Sequence, residues 1–128
     1  STPCEHSFPT RRSSDLDMNA LVFAPESFDA VCAFYAIWHL PVEEQAEVIT
    51  KMRTWVKRGG KLLFNLRTDE GEHRLPDWMG APMYSCGVGI EGNRVMVAQN
   101  GFKLEEEVAV EKVGRFDEKM HWFYVTKE

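Results

Sequence analysis

The sequence predicts an α/β fold in which two neighbouring strands run parallel and a later pair of strands runs antiparallel. Two observations carry this prediction: a strand–helix–strand succession with short joints, and two strand-like segments joined by a short link near the end of the chain. Parallel neighbours are joined through a right-handed crossover, usually a helix, whereas a short link joins antiparallel neighbours.

The first strand is predicted at Phe28–Phe34, a nearly continuous apolar run that is typical of a strand buried on both faces. A helix is predicted to start at Pro41, because proline suits the first helical position. Its buried face is predicted from apolar residues spaced by three and four: Val42, Ala46, Ile49, Met52 and Val56. Gly59 and Gly60 are predicted to end this helix, with Lys57 and Arg58 in its last turn.

The second strand of the parallel pair is predicted at Lys61–Leu66, directly after the two glycines. Residues 67–92 are predicted to be a polar, turn-rich insert, followed by a short helix over 93–100 that Gly101 closes. The last two strands are predicted at 102–113 and 119–126, as an antiparallel hairpin.

Length and charge restrict the classes of function. A chain of 128 residues suits one domain, and its net charge of −5 argues against a nucleic-acid partner bound through a broad basic surface. The sequence shows no bilayer-spanning apolar stretch and no signal-peptide pattern. Three unclustered cysteines and scattered histidines predict a reducing compartment, the cytoplasm, and no metal site. Oligomeric state is not defined by these features.

The first sixteen residues have an unusual character. The string from His6 to Leu16 resembles the translation of a common short-read sequencing adapter over eleven consecutive residues. We therefore expect residues 1–16 to be a non-native, adapter-derived tail, with the native sequence beginning at Asp17. A natural tail rich in serine and arginine is the alternative.

Five segments of the remaining chain resemble a known family when they are taken in order. They are Asp17–Val31, Phe34–Pro41, Val56–Leu63, Gly80–Tyr84 and Gln99–Phe102. Together they are similar to the C-terminal half of a class I S-adenosylmethionine-dependent methyltransferase (methyltransferase type 11/25-like). The resemblance implies a partial Rossmann-like methyltransferase sheet over residues 17–128. The family's glycine-rich loop and the acidic residue after its second strand have no counterpart, so the N-terminal half of the fold is expected to be missing.

The resemblance also implies S-adenosyl-L-methionine as the cofactor and names the residues beside it. Asp17 would accept a hydrogen bond from the adenine amino group, and the backbone of Met18 would lie beside the ring. Phe34 would lie against the methionine part of the cofactor. Tyr35 would close over the sulfonium, because an aromatic face attracts a cation; a tyrosine of the core or of the rim of the site is the alternative.

Two further groups are candidates for the reaction itself. His39 is the candidate general base, since its ordinary pKa suits proton removal from an acceptor hydroxyl or amine; a helix-capping or loop-positioning role is the alternative. Trp78, Met83 and Tyr84 are candidates for an acceptor pocket in the insert, because insertions at this point often form lids in the family. A satellite hydrophobic cluster is the alternative.

The predicted function is methyl transfer from S-adenosylmethionine to a small-molecule acceptor. Two alternatives remain open from the sequence. One is a non-catalytic or inactive fragment, which the missing glycine-rich loop favours. The other is a Rossmann-type nucleotide-cofactor oxidoreductase, which predicts a continuing parallel sheet in place of the terminal hairpin.

Overall fold

The structure is a computed structural model that describes residues 21–113 and 116–128. The elements in this part of the chain are, in order, β1 (Phe28–Ala33), a 3₁₀ helix (Ile37–His39), α1 (Val42–Trp55), β2 (Val56–Arg67), β3 (Glu70–Trp78), β4 (Ala81–Val88), α2 (Gly89–Ala98), β5 (Phe102–Val113) and β6 (Phe116–Lys127). The predicted tail 1–16 and the predicted adenine-contacting residues Asp17 and Met18 lie outside the described residues.

The main sheet has the strand order β1-β2-β6-β5. Strands β1 and β2 are parallel, with Cys32 opposite Leu63, and α1 forms the crossover between them. Strand β6 runs antiparallel to both β2 and β5. The predicted parallel pair and the predicted antiparallel terminal pair are both confirmed, and the antiparallel pair contradicts the continuing parallel sheet of the oxidoreductase alternative.

Both helices contribute side chains to a core on one face of this sheet. Leu62, Phe64 and Leu66 alternate along β2, so they point to the same face, and each is fully buried. The same buried cluster contains Ile49 of α1 and Val97 of α2. This face therefore holds the hydrophobic core.

The prediction that the first strand is buried on both faces is wrong, because one face of this strand is exposed. Ala30 and Cys32 of β1 are exposed, and Tyr124 of β6 is 38% exposed. Among the described residues, both helices contribute side chains to the core on the other face of the sheet. We call the surface with the exposed side chains the open face of the sheet.

The predicted end of the first helix is also wrong. Helix α1 ends at Trp55, because Val56 already has an extended backbone and pairs with Phe28 of β1. Gly59 and Gly60 therefore lie inside β2. A Cβ on Gly60 would come within 2.7 Å of the carbonyl oxygen of Asp29, so glycine permits the close approach of β2 to β1 here.

The predicted turn-rich insert is a regular hairpin. Strands β3 and β4 form a separate two-stranded antiparallel sheet, with Arg74 opposite Tyr84. Helix α2 begins at Gly89, four residues before the predicted start, and Gly101 follows it with φ of 72°. The predicted helix is thus present between β2 and β5, and the segment before it forms a hairpin that the sequence did not predict.

Candidate functional site

The carboxyl ends of β1 and β2 lie side by side, where open α/β sheets place their ligands. Directly after β1, Tyr35 has a positive φ of 54° and donates its backbone N–H to Oδ1 of Asn65 at 2.8 Å. Asn65 lies near the end of β2 and is fully buried, and its Nδ2 has no hydrogen-bond partner within the structure. The amide of Asn65 therefore fixes the turn that leaves β1.

Two aromatic rings reach solvent at this edge. Phe34 is 48% exposed and Tyr35 is 47% exposed. Both rings meet Trp122 of β6 in edge-to-face contacts, with ring centroids 5.5 and 5.8 Å apart. The predicted cofactor residues Phe34 and Tyr35 are thus brought together, with aromatic faces that attract cations.

His39 is the last residue of the 3₁₀ helix that follows these rings in the chain. The His39 ring packs in a tilted contact against the buried indole of Trp38, with centroids 4.0 Å apart and the ring planes at 34°, and its Nδ1 lies 2.9 Å from the carbonyl oxygen of Tyr84. Because a carbonyl oxygen only accepts, Nδ1 of His39 carries the hydrogen. In the neutral ring, Nε2 is then a hydrogen-bond acceptor.

An ion pair at the end of β2 borders the same region. Arg67 donates from Nε and Nη2 to the two carboxylate oxygens of Asp69, at 2.7 and 2.8 Å. These hydrogen bonds lower the pKa of the Asp69 carboxyl below its ordinary value. The guanidinium carbon of Arg67 lies 5.5 Å from the ring centre of Trp38, so the pair also packs against the indole.

The β3–β4 hairpin carries all three residues predicted to form an acceptor pocket. Tyr84 is the one joined to His39, through its carbonyl, while its hydroxyl donates to Glu72 at 2.9 Å. Partial burial and this bond raise the pKa of the Tyr84 hydroxyl. Met83 faces Leu75 across the hairpin, and Trp78, 49% exposed, pairs with Ala81 beside the turn. The hairpin thus connects the predicted acceptor residues to the predicted base through Tyr84.

Sequence reasoning missed Asn65, Arg67 and Asp69. Asn65 gave the clearest signal, since it is a polar residue inside the otherwise apolar run Lys61–Leu66. Within residues 21–113 and 116–128, no group of three or more His, Cys, Asp or Glu side chains is arranged to hold a metal ion. No helix in that part of the chain has the length and apolar character that crossing a membrane requires.

Comparisons with known proteins agree with this geometry. A family model described as "Methyltransferase domain" matches residues 5–64. A putative S-adenosylmethionine-dependent methyltransferase from Listeria monocytogenes superposes with a TM-score of 0.71 at 12% identity, over 88% of this chain and 67% of that one. Residues 5–64 thus match a methyltransferase-domain model, and the described chain has a class I methyltransferase fold. The fold class predicted from the sequence is therefore confirmed, and the match over residues 5–64 agrees with the predicted family.

Two further methyltransferases show how much of the fold is shared. A S-adenosylmethionine-dependent methyltransferase from Methanosarcina mazei has a TM-score of 0.70 at 14% identity, over 88% of this chain and 65% of that chain. The 1,6-didemethyltoxoflavin-N1-methyltransferase of Burkholderia thailandensis, with bound 1,6-didemethyltoxoflavin and S-adenosylhomocysteine, has a TM-score of 0.66 at 8% identity, over 88% and 48%. The chain thus spans between about half and two thirds of these structures. No curated protein sequence matches it.

Proposed function

We propose that the protein transfers a methyl group from S-adenosylmethionine to a small-molecule acceptor. The observation that carries this proposal is the pair of half-exposed rings, Phe34 and Tyr35, at the carboxyl end of the parallel strands of a methyltransferase fold. When bound, S-adenosylmethionine supplies an electrophilic methyl group on a positively charged sulfonium. Aromatic faces at this edge suit that cation.

The residues of this chain fit one side of such a cofactor. Asn65 holds the backbone of Tyr35 in its left-handed conformation, which keeps the ring position defined without further ordering on binding. The buried Nδ2 of Asn65 has no partner within the structure, so it is a hydrogen-bond donor at the floor of this edge. By the family resemblance, Asp17 and Met18 would contact the adenine.

His39 is proposed as the general base. Its Nδ1–H is bound to the Tyr84 carbonyl, so neutral His39 has its lone pair on Nε2, the atom that would accept a proton from the acceptor nucleophile. Imidazole ¹⁵N shifts at neutral pH measure this tautomer directly. A hydrogen on Nε2 in place of Nδ1 would contradict the role.

The β3–β4 hairpin is proposed as the acceptor side of the site. Trp78, Met83 and Tyr84 give it apolar and aromatic side chains, which suit a small organic acceptor. The Burkholderia relative holds such a small molecule together with S-adenosylhomocysteine. The net charge of −5 favours this class over nucleic acid, and the free thiols of Cys32 and Cys86 favour the reducing cytoplasm.

Calorimetric titration with S-adenosylmethionine tests the cofactor site through two matched variants. Tyr35→Leu removes a ring proposed to contact the sulfonium, so we expect Kd to rise about 3- to 30-fold, the worth of one cation–π contact. Tyr124→Leu is the control, because Tyr124 is similarly exposed, at 38%, but lies on the open face of the sheet. Equal affinity in wild type and Tyr35→Leu, or an equal loss in both variants, would contradict the proposed site.

A further inference from the structure

A buried histidine on β6 is bound at both ring nitrogens. His121 is 1% exposed, and its Nε2 lies 2.9 Å from a carboxylate oxygen of Glu107 on β5. Its Nδ1 lies 3.2 Å from Nδ2 of Asn93 on α2. The same Nδ2 lies 2.7 Å from the backbone carbonyl oxygen of Arg67 at the end of β2. One continuous set of hydrogen bonds therefore joins β5, β6, α2 and the candidate site.

The proton positions in this set follow from its acceptors. The carbonyl of Arg67 only accepts, so Nδ2 is the atom of Asn93 that faces it, and its second hydrogen points to His121. Nδ1 of His121 is then the acceptor, and Nε2 carries the hydrogen that it donates to Glu107. Oδ1 of Asn93 is buried and has no hydrogen-bond partner among the described residues, so only Nδ2 of this amide is bonded. The described arrangement requires a neutral His121.

Arg67 connects this set to the predicted base. Its carbonyl is held by Asn93, while its guanidinium is held by Asp69 and lies over Trp38. The Trp38 indole packs in a tilted contact against the His39 ring, with centroids 4.0 Å apart. A displacement of Arg67 can therefore reach His39 through two direct contacts, from the Arg67 guanidinium to Trp38 and from Trp38 to His39.

We propose that neutral His121 is a positioning residue that, through Asn93, fixes Arg67 and with it the Trp38–His39 pair. A second proton on His121 would face the amide hydrogens of Asn93, so the hydrogen bond breaks and this end of β2 is released. The catalytic meaning of the link rests on the function proposed above. The link itself involves only residues of this chain.

The charged groups around His121 act in opposite directions. Burial has the largest effect and lowers the pKa of His121, and Arg94 of α2 lowers it further. Glu107 of β5 and Glu91 of α2 raise it, and the net change is a lowered pKa. Since the ordinary histidine pKa is about 6.5, His121 stays neutral at neutral pH and takes up its second proton only on acidification.

Imidazole ¹⁵N and indole N–H spectra of the full chain, recorded across pH, test the proposal. In wild type we expect the Nε2–H tautomer of His121 at neutral pH, with the Trp38 and His39 signals moving together with the protonation of His121. Asn93→Asp replaces the donor amide with a second carboxylate, so both ring nitrogens of His121 should be protonated at neutral pH. The Trp38 and His39 signals should then be shifted from their wild-type positions. Asn100→Asp, two residues after the same helix, is the control and should leave His121 unchanged.

Glu107→Gln keeps an acceptor for Nε2–H while removing the charge, so it covers the case in which Asn93→Asp fails to fold. We expect this variant to protonate His121 at a lower pH than wild type. An Nδ1–H tautomer at neutral pH, or a His121 titration that leaves Trp38 and His39 unmoved, would overturn the proposal. These spectra are recorded without S-adenosylmethionine, so their outcome does not depend on whether the chain binds the cofactor.

Discussion

At the scale of single residues, Asp69 holds the guanidinium of Arg67 through two hydrogen bonds, and this lowers the pKa of its carboxyl. A carboxyl whose pKa is lower in the folded than in the unfolded chain contributes stability above its ordinary pKa, about 4. That contribution is lost as the pH falls through the folded value. The Arg67–Asp69 pair should therefore stabilise the end of β2 at neutral pH and not in acid.

Asp69→Asn tests this reading. We expect the free energy of unfolding at about pH 7 to fall by about 1 kcal/mol, and the difference from wild type to shrink at about pH 3. Urea unfolding at both pH values measures it. Asp29→Asn is the matched control, since Asp29 is 91% exposed in its ion pair with Lys57 and should change stability by less than about 0.5 kcal/mol. An equal loss of unfolding free energy at both pH values, or no loss at about pH 7, would show that the Arg67–Asp69 pair does not stabilise the fold in this way.

At the scale of elements, Gln45 attaches the β3–β4 hairpin to the helices. It lies on α1 and is 1% exposed, and its Nε2 donates to the carbonyl oxygens of Leu40 at 2.7 Å and Cys86 at 3.0 Å. Cys86 belongs to β4, so a single amide joins the chain after the 3₁₀ helix to the hairpin that carries Tyr84. The position of the hairpin beside His39 therefore depends on this side chain as well as on the Tyr84 carbonyl.

Gln45→Leu keeps much of the volume of the side chain but leaves both carbonyls without its donor. We expect a loss of about 1–3 kcal/mol in unfolding free energy, together with faster amide exchange in β4. Gln99→Leu, the same change at an exposed position, should stay within about 0.5 kcal/mol of wild type. Equal stability of the two variants would show that Gln45 does not hold the hairpin.

Elements differ in how well the sequence predicts them, for a physical reason. Helix α1 and strand β2 have one-sided or continuous apolar patterns, because they bury side chains in the core, and both were predicted. All nine residues of β3 are exposed, so no apolar alternation marks that strand and the hairpin was missed. Site residues divide in the same way: Phe34, Tyr35 and His39 follow from local motif order. Asn93 and His121 become partners only through contacts 28 residues apart along the chain.

At the scale of the whole molecule, the sheet has one core face and one open face. The open face carries a shallow groove of about 100 Å³, lined in part by Leu63, Val108, Trp122 and Tyr124. Trp122 belongs to this groove and also touches Phe34 and Tyr35, so aromatic surface continues from the groove to the edge of the sheet. We propose that the cofactor binds at the carboxyl edge of β1 and β2, and the groove is the competing location.

Amide and indole chemical-shift mapping of the ¹⁵N-labelled chain, titrated with S-adenosylmethionine, separates these locations. We expect saturable shifts centred on Phe34, Tyr35, Asn65 and the Trp38 indole, with smaller changes at Leu63 and Tyr124. No saturable shift anywhere, or shifts centred on the groove residues of the open face, would contradict it.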